Sequence, residues 1–262
     1  MANMTSSVSA SQVAGELASA TFEEIPALVE HYREDPRQQV IKACERALKR
    51  HAKELAERER VNDMYELMHE LGGDGVVVGV DEVGRGSVAG PLTVCAVCLP
   101  MEPRVWGIND SKKLTPARRE LLAVKIAEVA TAIGFCHIAP EAIDDMGMSR
   151  AIRAAVAGAV ADTGLEPDCV LMDGNPLGAV PNELDVVKGD AKIACIAAAS
   201  IMAKVTRDEM MVEYDAEYPE YHLAESKGYA SPEHIEAIRK HGLCPLHRVS
   251  FCGNFLQTER LF

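Results

Sequence analysis

No apolar run in the chain approaches the roughly 20 residues that a membrane helix needs, so a membrane-spanning helix is not expected. The opening stretch MANMTSSVSASQVAGELASA lacks both a basic start and a long apolar centre, which argues against a secretory signal. Cys95 and Cys98 form a CxxC with no second pair, and the rest of the eight cysteines are scattered in apolar contexts. Buried thiols in a reduced, cytoplasmic protein fit this usage better than a zinc or redox centre. No internal repeat is visible. Cations are also in short supply: 27 Lys and Arg face 40 Asp and Glu, a net charge of −13. That balance argues against a nucleic-acid partner, because phosphate binding is driven by cations. The objection weakens if basic residues gather on one face.

What is present suits an ordinary folded chain. Hydrophobic residues make up 48% and charged residues 26% of 262 residues, enough for a sizeable core in one or two domains. Residues 1–20 are rich in Ser and Ala and read as disordered. Residues 21–72 follow a helical pattern broken at Pro36, a helical N-terminal extension of two or three helices. Within it Lys42, Arg46, Lys49 and Lys53 fall at three- and four-residue spacing on one helical face. That face is either plain solvated surface or a phosphate-contacting ladder. Gly72-Gly73-Asp74-Gly75 marks a boundary, and residues 76–262 form the remaining domain.

The chain is organised around residues 76–91, VVVGVDEVGRGSVAGP. Its β-branched opening suits a buried strand. It delivers Asp81 and Glu82 into a turn bent by Gly84, Gly86 and Gly90. Buried acids are costly unless they are paired or bind a cation. Glycines permit positive φ and close backbone approach, so Gly84-Arg85-Gly86 is shaped to place amides and a guanidinium beside a ligand. The alternative is a surface turn with solvated acids.

Further along, 92–99 reads as the hairpin partner of this strand. A turn at 109–116 leads into a helix to about 130, with Thr115 as N-cap and Pro116 in first position. A strand over 132–138 and a helix over 148–161 follow. Short strands at 169–172 and 184–187 end at Asp173-Gly174 and at Lys188-Gly189-Asp190. A helix runs from 191 towards 214, then a polar loop to Tyr229, then a last helix from Ser231 to near Gly242. Strands leading and helices following indicate an α/β core. Three strand-like segments thus end in acid, and ligand sites in such folds gather at strand C-termini. Converging carboxylates cannot all stay ionised unaided, and hard divalent cations resolve this. Adjacent strand residues point to opposite faces, so Glu82 must lie past the strand end or reach round with its longer arm. Taken singly, Asp173 also reads as a turn residue and Asp190 as a helix N-terminal acid.

GVDEVGRG followed by AGP resembles the opening motif of bacterial ribonuclease HII, the type 2 ribonucleases H. The resemblance continues through DSKKLT at 110–115, MDG at 172–174, KGD at 188–190, AAASIMAKVTRD at 197–208, KGY at 227–229 and HGLCPLHRVSF at 241–251. It implies an RNase H-like α/β fold, a mixed sheet flanked by helices with a helical C-terminal part. It assigns metal binding and catalysis to Asp81, Glu82, Asp173 and Asp190, with two Mn²⁺ or Mg²⁺ ions. It assigns the ribose 2′-hydroxyl to Gly84, Arg85 and Gly86, the sugar to Tyr229, and a phosphate to Lys112. The Arg207-Asp208 pair, deep in its helix, is read as structural. Val83 and Ser87-Val88 are mild departures, and the first 70 residues lie outside the catalytic match.

The activity implied is cleavage of the RNA strand of RNA–DNA hybrids and cleavage 5′ to single ribonucleotides in duplex DNA, by a monomer with no membrane partner. A resolvase- or integrase-type nuclease and a non-catalytic hybrid-binding protein are the alternatives. The tail Gln257-Thr258-Glu259-Arg260-Leu261-Phe262 resembles the short peptides that bind bacterial sliding clamps, with two apolar anchors and an orienting amide. Equally, Leu261 and Phe262 could close a patch on the protein itself.

Overall fold

The computed structural model describes residues 8–256. The chain divides into two compact units between Asn62 and Asp63. In the first, α1 (Ala10–Ser19), α2 (Ile25–His31) and the start of α3 (Gln38–Gly72) pack together. The disorder expected for residues 1–20 is corrected here for 10–19, which are helical. The reason is local. Ser9 accepts from the Gln12 amide, and the Gln12 side chain accepts from the Ser9 amide, a complete capping box. Val13 and Leu17 are then buried against Ile25, Val40, Ala43 and Ala47. At the other end of α1, the Arg50 guanidinium donates to the carbonyls of Leu17, Ala18 and Ala20, satisfying acceptors that the helix leaves open. Lys42, Arg46, Lys49 and Lys53 all lie on α3 in the first unit, and all four are exposed.

The units part within α3, earlier than the glycine-rich boundary, because the end of this helix is tied to later residues. The Tyr65 hydroxyl accepts from the Val105 amide at 2.9 Å, and Glu66 pairs with Arg104 at 3.2 Å.

The second unit is built on five strands: β1 (Val77–Val83), β2 (Leu92–Cys98), β3 (Ala132–Ile138), β4 (Cys169–Asp173) and β5 (Glu183–Val186). Their order is β3-β2-β1-β4-β5. The β1–β2 and β2–β3 pairs are antiparallel, and β1–β4 and β4–β5 are parallel. Helices α4 (Pro116–Val129), α5 (Pro140–Met146), α6 (Met148–Asp162), α7 (Ala194–Glu217), α8 (Leu223–Ser226), α9 (Pro232–His241) and α10 (Val249–Cys252) complete it.

One sheet face, with Val78, Val80, Val94, Val170 and Met172, packs on Ile152, Ala155, Val156 and Ala159 of α6. The opposite face meets α7. A Cβ at Gly79 would lie 2.3 Å from the Cys195 carbonyl carbon, so glycine is what lets this helix approach the sheet. That approach brings the Ala-rich, wholly buried start of α7 under the site.

The expected elements recur with shifted ends. The helix expected from 191 begins at Ala194. Lys188 is left-handed (φ 58°), and a 3-10 turn over Gly189–Ala191 carries Asp190. The polar loop after α7 holds a 3-10 turn and α8, and α5 and α10 have no counterpart in the sequence pattern. Among the described residues no helix is long and apolar enough to cross a membrane. The tail Gln257–Phe262 lies outside the described residues.

Candidate active site

Val80 of β1 pairs with Met172 of β4 in parallel register. The next residues, Asp81 and Asp173, therefore stand side by side, Asp173 at the end of β4 and Asp81 two residues short of the end of β1. Val80 and Met172 face α6, so alternation turns both aspartates towards α7. There the Glu82 amide donates to Asp81 Oδ1 at 2.8 Å, and the Ser200 hydroxyl, which opposes the rise of the Asp81 pKa, lies 2.9 Å from Ser111 Oγ. Ser111 belongs to a 3-10 turn (Ser111–Lys113) capped by Asp110, whose carboxylate accepts from the Lys112 amide at 2.9 Å. Lys112 in turn reaches Asp190, with Nζ 3.6 Å from Oδ2. Asp173 accepts from the Gly189 amide at 2.7 Å, which fixes the turn that presents Asp190. Asp81, Asp173, Asp190 and Lys112 are thus brought into one neighbourhood.

Glu82 lies inside β1, paired with Val94, rather than past its end. Its side chain leans to Arg85 at 3.4 Å. Burial raises the Glu82 pKa, with Arg85 opposing and the charge of Asp173 adding to the rise. Asp81 is 8% exposed. Burial first, then the charges of Glu82 and Asp173, push its pKa up to about 8, against the Ser200 hydrogen bond. Burial and Asp173 also raise Asp190. Burial pulls the Lys112 ammonium down, but Asp190, Asp81, Asp110 and Asp173 outweigh it and its pKa is raised.

Among the described residues no three acid, His or Cys side chains are grouped closely enough to hold a metal ion as they stand. The donor chemistry nevertheless fits a divalent cation. Every candidate ligand is a carboxylate, and Asp81 is a buried acid held by the Glu82 amide and, among the described residues, by no ion pair. Hard oxygen donors suit Mg²⁺ and Mn²⁺.

The glycine loop borders this group. Gly84 has φ +84°, and a Cβ there would fall 2.3 Å from Arg207 Nε. Arg85 is largely exposed beside Glu82. The amides of Val88 and Ala89 both donate to the Gly228 carbonyl, at 2.9 and 3.0 Å, joining this loop to Lys227-Gly228-Tyr229. Tyr229 is 40% exposed, and its carbonyl lies 2.9 Å from His234 Nδ1. Asp208 pairs with Lys204 on its own helix at 2.7 Å. Cys95 and Cys98 are buried free thiols.

Sequence reasoning missed Ser111, Ser200 and Arg248, and took Arg207 only as part of a structural pair with Asp208. For Ser200 the available signal is a polar residue inside a run otherwise made of small apolar ones, as in AAAS.

A mixed sheet with carboxylates at the ends of adjacent parallel strands, backed by helices on both faces, defines an RNase H-like fold. The model of the family described as Ribonuclease HII matches residues 78–254, and that of the Ribonuclease HII N-terminal domain matches residues 9–71. The chain belongs to the ribonuclease HII family and is a ribonuclease H, a phosphodiester hydrolase. Ribonuclease HII of Ruminiclostridium cellulolyticum is 43% identical over 204 residues, covering 77% of this chain and 80% of the relative. The solved ribonuclease H2 from Pyrococcus horikoshii superposes with a TM-score of 0.59 at 26% identity, over 70% of this chain and 99% of that one. RNase HII from Archaeoglobus fulgidus, solved in complex with PCNA, gives 0.60 at 25% identity over 70% and 98%.

Proposed function

We propose that the protein hydrolyses the RNA strand of RNA–DNA hybrids and cuts 5′ to a lone ribonucleotide in duplex DNA, leaving 3′-hydroxyl and 5′-phosphate ends. The observation that carries this reading is the pair Asp81 and Asp173, side by side on parallel strands, with Asp81 buried. Asp81, Glu82, Asp173 and Asp190 would hold Mn²⁺ or Mg²⁺. Such ions supply an activated water and charge for the leaving oxygen.

The chain's own residues do the rest. The Glu82 amide holds the Asp81 carboxyl, and the Gly189 amide holds Asp173. Lys112, its side chain 79% exposed beside Asp190, offers an ammonium to a phosphate. Gly84, Arg85 and Gly86 present backbone and a guanidinium to a 2′-hydroxyl, the group that separates RNA from DNA at a site. The half-exposed Tyr229 ring offers a face to the sugar. A DNA-only resolvase or integrase has no use for a ribose reader, and a non-catalytic hybrid binder has no use for buried acids. Cleavage of a duplex carrying one ribonucleotide tests the reading. A single cut 5′ to it with Mg²⁺, and none in chelator or on all-DNA duplex, is expected; cutting in chelator contradicts it.

The tail Gln257–Phe262 is proposed to contact a sliding clamp, supported by its sequence and by the PCNA complex of the Archaeoglobus relative. Deleting Leu261 and Phe262 is expected to abolish clamp binding in calorimetry; undiminished binding rules this out.

A further inference from the structure

Two arginines of the second unit, Arg207 on α7 and Arg248 before α10, are fully buried at 0% exposure. A buried charge normally has a charged partner. These have none within ion-pair distance among the described residues; Asp208, next to Arg207, is engaged by Lys204. Their hydrogen bonds go to neutral oxygens. Arg207 Nε donates to the Pro91 carbonyl at 2.9 Å, Nη1 to the Lys227 carbonyl at 2.8 Å, and Nη2 to Ser87 Oγ at 2.9 Å and the Ala89 carbonyl at 3.1 Å. Arg248 donates from Nε and Nη2 to the Gly90 carbonyl, at 3.2 and 2.9 Å, and from Nη1 to the Arg85 carbonyl at 3.2 Å. Burial lowers both pKa values, that of Arg248 to about 10, and both keep their charge at neutral pH.

The acceptors come from segments far apart in sequence. A planar fork with donors in fixed directions can bind several acceptors at set angles, which an ammonium on a flexible stem cannot. Arg207 therefore sets the distance between the glycine loop and the loop of Tyr229, and its guanidinium carbon lies 5.7 Å from the Tyr229 ring centre. Gly84 is what admits it, since a side chain there would collide with Nε. Arg248 pins the same glycine loop through the Arg85 carbonyl.

We propose that Arg207, with Arg248 beside it, is a specificity-determining positioning residue. Its fork fixes the glycine loop and Tyr229 in one frame, so that a single ribose can be recognised in otherwise deoxyribose duplex. This rests on the reading that Gly84, Arg85, Gly86 and Tyr229 meet the ribose. In a long hybrid every register offers a 2′-hydroxyl, so a loosened frame costs less there. Two buried positive charges under this loop also favour phosphate locally in a chain of net charge −13.

Arg207→Lys in the full chain keeps the charge and loses the fork. The measurement is kcat/KM on a single-ribonucleotide duplex and on a long hybrid, both in Mg²⁺, with melting curves to confirm folding. The ratio of the two is expected to fall about tenfold, the size of one well-made hydrogen-bonding contact. Arg207→Lys combined with Tyr229→Ala is expected to lower that ratio no further than Tyr229→Ala alone, because the fork acts through the tyrosine. A folded R207K that loses both substrates equally, or whose effect adds in full to that of Y229A, overturns the proposal. If R207K does not fold, Ser87→Ala removes only the hydroxyl between Arg207 and the Gly84 carbonyl. An unchanged ratio in S87A then overturns it. Arg85→Ala and Tyr229→Ala alone separate the layers. If neither shifts the ratio, the ribose reading itself fails and the frame falls with it; if both shift it and R207K does not, only the frame is wrong.

Discussion

Asp81 is a buried acid whose charge the fold does not itself neutralise. In the unfolded chain it ionises near 3.8, and in the folded protein without metal at about 8. Between those values the folded state holds a proton that the unfolded state has released. Stability therefore declines as pH rises through that window. Asp81→Asn removes the cost along with the metal ligand. In chelator at pH ~8 the variant is expected to be more stable than the wild type by at least about 1 kcal/mol, with the gap closing towards pH ~4. Thermal or urea melts at both pH values check this, and a gap that does not depend on pH contradicts it. At this scale the sequence is informative wherever chemistry sits at an element's end. Asp81 and Asp173 each follow an apolar run directly, and Asp190 follows one after Lys188-Gly189, and they are legible for that reason. Arg207 is legible only as a structural helix residue, because its partner Pro91 lies 116 residues away and nothing local ties it to the glycine loop. Glu82 is half legible: alternation places it on the opposite face, but does not show that β1 continues to Val83.

Among the elements, the strands around the site are read well because β-branched runs and hairpin spacing are local signals. β3 falls at the expected 132–138, and Thr115 and Pro116 open α4 as expected. α1 is hidden because Ser/Ala composition outweighs a single reciprocal cap, Ser9 with Gln12. The start of α7 shifts because the left-handed Lys188 sets the turn before it, and no propensity flags a lysine for that conformation. α3 carries a testable element-scale claim. Lys42, Arg46, Lys49 and Lys53 share one helical face by their spacing, and the Arg46 guanidinium donates back to the Lys42 carbonyl. Changing all four to Gln in the full chain is expected to weaken hybrid binding and to flatten the slope of log K against log salt. The change should be about 0.9 for each phosphate that is no longer neutralised, with the cleavage rate at saturation unaltered. An unchanged slope identifies the face as solvated surface.

At the scale of the whole molecule, a net charge of −13 on a nucleic-acid enzyme is reconciled by where the charges lie. Acids gather at strand ends that invite cations, and the exposed cations Arg85 and Lys112 border them. The central claim is that these acids do the chemistry, and Asp190→Asn tests it most directly. The substitution keeps the shape of the side chain but removes one charge from the site. The measurement is the single-turnover rate in Mg²⁺ on a duplex carrying one ribonucleotide, alongside hybrid affinity. A fall of at least about a thousandfold, the scale of losing a group that stabilises transition-state charge, with affinity retained, is the predicted result. A variant that cleaves at near wild-type rate would contradict the account.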